Sequence, residues 1–193
     1  MKKPLLALAL ATFASPAFAA DAFKFDASHT YIGFAIDHLG FAKTLGEFLR
    51  FDGTLKLDRE DLTRSSIEVT IDTASIDTDQ PDFDEHLRSA DFFHVAEHPA
   101  MTFRSTAVED LGEGRLKVTG DLSLLGTTRP VVLDTRLNRV AMHPFRPSIE
   151  VAGFSATTTI DRTAFGMGKY APAVGTQVEI RIEAEFNREV AAR

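Results

Sequence analysis

The sequence predicts an all-β domain of about eight antiparallel strands, closed into a barrel or stacked as a sandwich. Three observations carry this. Apolar residues recur at every second position in one segment after another, the mark of strands with one buried and one wet face. Turn-forming residues fall between those segments. One stretch alone breaks the period. Closure into a barrel would leave no edge strands exposed.

The elements follow in order. Ile32, Phe34 and Ile36 alternate with Gly33, Ala35 and Asp37. Leu49, Phe51, Gly53, Leu55 and Leu57 form the next inward set, then Ile67, Val69 and Ile71 after a polar connection from Asp58 to Ser65. Pro81–Arg88 reads as a short helix, with proline in its first turn and Asp82, Asp84 and Glu85 near its positive end. Strands resume with Met101, Phe103 and Ser105, then Leu116, Val118, Gly120, Leu122 and Leu124, across a Gly112-Glu113-Gly114 hairpin loop. Gly126–Pro130 reads as a further loop. Weaker strands cover Val131–Leu137 and Ile149–Arg162, and Val178, Ile180, Ile182, Ala184 and Phe186 end the series. Asn138–Ser148 and Gly166–Gly175 read as irregular loops that carry Met142, Phe145, Met167 and Tyr170.

The first nineteen residues read as an address. Lys2 and Lys3 precede an apolar run from Leu5 to Ala14, and Ala17-Phe18-Ala19 offers the small residues a signal peptidase reads. Cleavage after Ala19 would leave residues 20–193 as a single exported domain, periplasmic in a bacterium. The run is too short to span ~30 Å of hydrocarbon, and no later stretch reaches the ~20 apolar residues a stable insertion needs. Without Lys2 and Lys3 the chain carries 19 basic against 28 acidic residues. Such a chain, with no basic run, is a poor partner for nucleic acid or an anionic membrane surface. It has no cysteine, which removes disulfides, thiol catalysis, Fe–S clusters and cysteine-held zinc.

Several segments together resemble the YceI family of exported bacterial proteins. They are Asp26–Thr30, His38–Phe41, Gly46–Phe48, Ser75–Thr78, His86–Phe93, Pro99–Ser105, Gly120–Thr128 and Arg162–Gly166. Their order and spacing carry the match. The resemblance implies a closed, eight-stranded, lipocalin-like antiparallel β-barrel with one short inserted helix. It also implies an apolar channel that binds a long isoprenoid lipid, and roles linked to stress or isoprenoid quinones. Leu125 departs from it, standing where the family often has histidine.

The residues themselves leave open whether the barrel is hollow or filled. After residue 19 there are 14 phenylalanines and no tryptophan. Phenylalanine brings large apolar area without a polar atom that needs a partner. Phe34, Ile36, Phe51, Phe92, Phe93, Phe103, Leu122, Leu124, Phe154 and Phe165 are placed inward or at the mouth and are the candidate ligand contacts. His38 and Arg162 are the candidates for a polar head group, and His29 is either such a contact or hydrogen-bonded internally. No catalytic residue, cofactor or metal is assigned. The competing motif is His94-Val95-Ala96-Glu97-His98, an H-x-x-E-H pattern found in zinc hydrolases. It needs a helix to bring its histidines together, and Pro99 with the strand that follows denies it one. The expected partner is an isoprenoid lipid or similar amphiphile, held for storage or transport. A metal-dependent hydrolase and a filled barrel acting as a stress or interaction protein are the alternatives. An exposed apolar loop would permit a homodimer.

Overall fold

The computed structural model describes residues 20–190. The signal segment expected over residues 1–19 lies outside them. Eleven strand segments form one sheet that closes on itself. They are β1 (Asp21–Phe25), β2 (Tyr31–His38), β3 (Ala42–Phe48), β4 (Phe51–Leu57), β5 (Ser66–Asp72), β6 (Ile76–Asp77), β7 (Ala100–Asp110), β8 (Arg115–Leu124), β9 (Thr127–His143), β10 (Arg146–Asp161) and β11 (Val174–Glu189). The first six are three interrupted strands. β1 and β2 share the partner β11, against Phe186–Asn187 and Val174–Glu183 respectively. β3 and β4 run antiparallel to them, and β5 and β6 follow. Five continuous strands, β7 to β11, complete an eight-stranded up-and-down barrel. Every neighbour is antiparallel.

Each interruption has a local cause. Asp26 caps a short turn, Ala27–His29, by accepting from the Ser28 amide, and so ends β1. Asp72 does the same for Thr73–Ser75 between β5 and β6, accepting from the Ala74 amide. Between β3 and β4 the chain bends at Leu49 and Arg50, and the Ser75 hydroxyl accepts the Arg50 amide left without a ladder partner. Leu49, read above as inward, is exposed at this bend.

Helix α1 spans Pro81–Arg88, as the sequence predicts. Asp84, read there as a helix-terminus charge, is buried and accepts from both the amide and the hydroxyl of Thr78, tying α1 to β6. Two loop assignments are corrected. The turn between β8 and β9 is only Leu125-Gly126, with φ of 51° and 71°, and Thr127–Pro130 is strand. Two positive φ values match the mirror-image turns that tight hairpins favour. Asn138–Ser148 is no loop but the far end of the β9–β10 hairpin, which turns at Pro144-Phe145. There Met142 and Phe145 are exposed, so the alternation that marks a strand is lost while the ladder persists. Pro147 falls at a register shift between Arg146 and Glu150, where its missing N–H costs no ladder bond.

Candidate functional site

Alternation points one residue in two from every strand into the barrel. β2 contributes Ile32, Phe34 and Ile36; β5 Ile67, Val69 and Ile71; β8 Leu116, Val118, Leu122 and Leu124. β11 contributes Val178, Ile180, Ile182, Ala184 and Phe186. These side chains do not meet in the middle. They enclose a cavity of about 380 Å³ whose wall is almost wholly apolar. That volume lies in the ~300–1,000 Å³ range of small-molecule sites.

The lumen stays open because phenyl rings lie against the wall rather than across it. Phe34 and Gly46 are directly paired across β2 and β3. A Cβ built on Gly46 would stand 2.4 Å from Cζ of Phe34, so the ring occupies the space a side chain would fill. Phe103 uses Gly120 of β8 in the same way, again at 2.4 Å from Cζ. The consequence is visible in burial. Phe34, Phe103 and Leu122 point inward yet are only partly buried, because one side of each faces empty space.

One end of the cavity is roofed by α1 and by two turns, Ser89–Pro99 and Gly166–Ala173. Phe83, His86 and Leu87 reach in from α1, Phe92 and Phe93 from the first turn, and Met167 and Tyr170 from the second. His86 packs edge-on against Phe92 and Tyr170, with ring centroids 5.1 and 6.2 Å away. Beside them Lys169 and Asp91 form an ion pair of 3.0 Å. The hydrogen bond from Lys169, with its charge, holds the Asp91 carboxyl below the usual aspartate value. His38, at the end of β2, and Thr44 add polar groups to this end.

Arg162 is 2% exposed, and among the described residues its side chain bonds to backbone carbonyls and to no carboxylate. Its Nε donates to the Gly175 carbonyl at 2.8 Å and Nη1 to that of Met167 at 2.5 Å. Its Nη2 donates to the carbonyls of Lys169 and Val174, both at 3.0 Å. Burial lowers its pKa from the ordinary arginine value, with Asp161 acting in the other direction. Arg162 therefore pins the turn that carries Met167 and Tyr170, while its side chain forms part of the cavity wall.

Of the residues singled out in the sequence, ten stand in the cavity wall. They are Phe34, Ile36, His38, Phe92, Phe93, Phe103, Leu122, Leu124, Phe154 and Arg162. Phe51 and Phe165 do not. Phe51 begins β4 just after the bend and packs edge-on against Phe25, 5.5 Å between centroids. Phe165 closes the short helical turn Arg162–Phe165 and is buried in the surrounding core rather than facing the lumen. His29 lies outside the wall, its Nδ1 3.1 Å from Oδ2 of Asp26. Sequence reasoning missed Phe25, Phe48, Phe83, His86 and Tyr170. The pair Phe83 and Leu87, four apart on α1, was the available signal for a helix face turned inward.

The H-x-x-E-H segment forms no helix, as the sequence predicts, but the inference that its donors stay apart is overturned. A single helical turn closes there, with the His98 amide donating to the His94 carbonyl at 2.9 Å. One donor atom each from His94, Glu97 and His98 lie within 4.8 Å of one another. None of the three lines the cavity.

Residues 23–186 match the YceI-like domain. A UPF0312 protein of Vibrio cholerae is 35% identical over 187 residues, covering 95% of this chain and 98% of its own. Protein YceI of Escherichia coli O157:H7 is 38% identical over 190 residues, covering 96% and 97%. Among solved structures, the Campylobacter jejuni YCEI protein superposes with a TM-score of 0.72 at 28% identity, over 80% of this chain and 90% of that one. A polyisoprenoid binding domain from Saccharophagus degradans shares the fold, with a TM-score of 0.65 at 14% identity over 88% and 98%. The barrel, its inserted helix and the near-complete coverage of these relatives lead to one conclusion: the chain belongs to the YceI family.

Proposed function

We propose that this protein binds a long isoprenoid lipid, of polyprenoid or isoprenoid-quinone type, non-covalently in the barrel, and stores or carries it in the periplasm. The observation that carries the reading is the hollow apolar lumen, held open by Phe34 and Phe103 lying over Gly46 and Gly120. The Saccharophagus domain of the same fold, named for polyisoprenoid binding, supports it. The leader-like first nineteen residues support the periplasmic part.

Magnitudes favour a chain-like ligand. Each buried methylene contributes ~0.8 kcal/mol, so a 40-carbon chain offers on the order of 30 kcal/mol before ordering costs. Non-covalent affinity saturates near ~20 kcal/mol, so apolar burial suffices and few polar contacts are required. His38, Thr44, His86, Tyr170 and the buried Arg162 line the α1 end, which suits a head group there and a tail running inward, while Ser65, Ser66, Thr135 and Thr158 are the polar groups elsewhere along the wall. The lumen offers a binding chemistry, and the reading is of a binding protein rather than a catalyst.

Native mass spectrometry and organic extraction of the purified protein test this. A polyprenoid or prenylquinone recovered at close to one per chain is the expected result. Protein that stays empty when purified from lipid-replete cells, and takes up no added prenylquinone, overturns it.

A further inference from the structure

We propose that His94, Glu97 and His98 form a surface site for a late first-row divalent cation such as Zn²⁺, outside the lipid cavity. The donor set is two imidazoles and a carboxylate, a combination suited to zinc, nickel or copper, and it leaves at least one coordination position for water. Donor atoms up to 4.8 Å apart must close to about 3.4 Å around an ion with bonds of about 2.0–2.1 Å. Rotations about the side-chain torsions of Glu97, whose side chain is 68% exposed, and of the histidines supply that movement.

Three features of the turn favour binding. The backbone is already held in place. The amides of Phe93, His94 and Val95 donate to the carbonyls of Leu87, Ser89 and Arg88 at 2.9, 2.9 and 3.1 Å. On the other side Thr73 donates its hydroxyl to the His98 carbonyl at 2.7 Å and its amide to that of Pro99 at 3.0 Å. The donors are also uncommitted. Among the described residues no side-chain hydrogen bond engages the ring of His94 or His98, whose centroids lie 5.8 Å apart, and His94 Nε2 faces Glu97 Oε1 at 3.7 Å. Finally, among the described residues the three stand alone as a cluster in this respect. The other grouping of similar composition, Asp26, His29 and Glu185, has its aspartate occupied by Ser28, His29 and Asn187 and paired with Arg146. Phe92 and Phe93 line the cavity immediately before His94, so an ion held here would stiffen the turn that carries them.

Titrating ZnCl₂ into purified, tag-free protein by calorimetry, with Co²⁺ absorption as a second readout, tests the site. One ion per chain is expected, with visible Co²⁺ bands of low-symmetry coordination. His94→Gln and His98→Gln should each weaken binding by about 10–100-fold or more, and His29→Gln should leave it unchanged. His94→Gln and His98→Gln should keep the wild-type melting temperature without metal, because among the described residues neither ring makes a side-chain hydrogen bond. Absence of binding at 100-fold excess of ion, or stoichiometric binding that survives both His→Gln changes, overturns the site. Either result leaves the lipid reading intact, since extraction of bound lipid measures that separately.

Discussion

The two ends of the barrel are built from the same alternating pattern and come out opposite. At the end marked by β1 and the start of β10, inward residues fill space. Phe23 and Ala152 are fully buried, and Leu57 and Phe186 are 2% exposed. Phe25 and Phe154 pack onto Phe186 with centroids 4.3 and 5.8 Å away. At the α1 end the inward Phe34, Phe103 and Leu122 border a void. Alternation decides which face of a strand is inside. Whether the inside is full depends on neighbours. Rings that meet other rings make a floor, and rings that lie on glycines make a wall.

The floor also carries the charges that seal it. Arg59 reaches Asp21 and Glu150 at 2.9 and 2.5 Å, and Arg188 pairs with the same two acids while lying over the Phe23 ring at 5.3 Å. Glu150 is 7% exposed. Burial raises its pKa, but hydrogen bonds from Arg188 and Arg59 outweigh it and hold the carboxyl below the ordinary glutamate value. Glu150→Gln should therefore be the most damaging of these changes to stability, costing about 1–3 kcal/mol, because two partly exposed arginines then share one aspartate and lose the buried carboxylate between them. A carboxyl whose pKa is depressed in the folded chain stabilises fully above its unfolded value and loses that contribution as pH falls through the folded one. The wild type should thus lose stability on acidification below the ordinary glutamate range, and Glu150→Gln should lose less over the same interval. Denaturant melts at a series of pH values measure both. Equal acid sensitivity in the two proteins would remove Glu150 from the account. Lipid content should not change, since Glu150 lies outside the lumen wall.

The barrel was legible in the sequence because period two survives wherever one face is buried. It failed at Leu49, where a bend turns the side chain out, and over Asn138–Ser148, where the hairpin outruns the barrel and only Val140 packs, partly, on the core. The wall was legible to the same extent. Phe51 sits where a strand restarts after a bend, and Phe165 in a turn, so counting alternate positions could not place either. The openness of the lumen was not legible from phenylalanine content. Its signal was finer: an inward glycine facing an inward phenylalanine on the next strand, as Gly46 faces Phe34. Reading that requires the register. The turn at His94–His98 escaped because one turn of helix, held from outside by Thr73, is too short to leave a periodic trace.

The next test acts on the void itself. Leu122→Trp adds an indole where Leu122 faces empty space opposite Phe103. In a filled core such overpacking costs ~1–3 kcal/mol. In the hollow half the ring should find room, so the lipid-free melting temperature should hold or rise while the extracted lipid falls several-fold. Phe103→Asp should also empty the lumen. It should unfold the barrel less than a carboxylate buried in a dry core would, because water can enter once lipid has left. A Leu122→Trp protein that melts several degrees lower and keeps its lipid would show that the comparison between the two ends is wrong.

The smallest change probes the wall. Gly46→Ala introduces one methyl group whose nearest neighbours are all side-chain atoms, Cζ and Cε1 of Phe34 at 2.4 and 2.8 Å and Cγ2 of Thr78 at 3.0 Å. The backbone is untouched, so the Phe34 ring must give way, and the free direction for it is the lumen. The equivalent change at Gly120 is less clean, because the new Cβ would also stand 2.6 Å from the Arg104 carbonyl oxygen. Gly46→Ala should therefore cost little stability, about 1 kcal/mol or less as for other small adjustments of packing, but should narrow the lumen and lower bound lipid. Phe34→Ala added to Gly46→Ala removes the displaced ring and should restore lipid content, although each truncation at this position reduces apolar contact. That reversal is what distinguishes a ring swung into the channel from general damage to the strand pair. If Gly46→Ala holds the same lipid as the wild type, or if the double variant binds less than Gly46→Ala alone, then the ring lying on Gly46 is not what keeps this half of the barrel open.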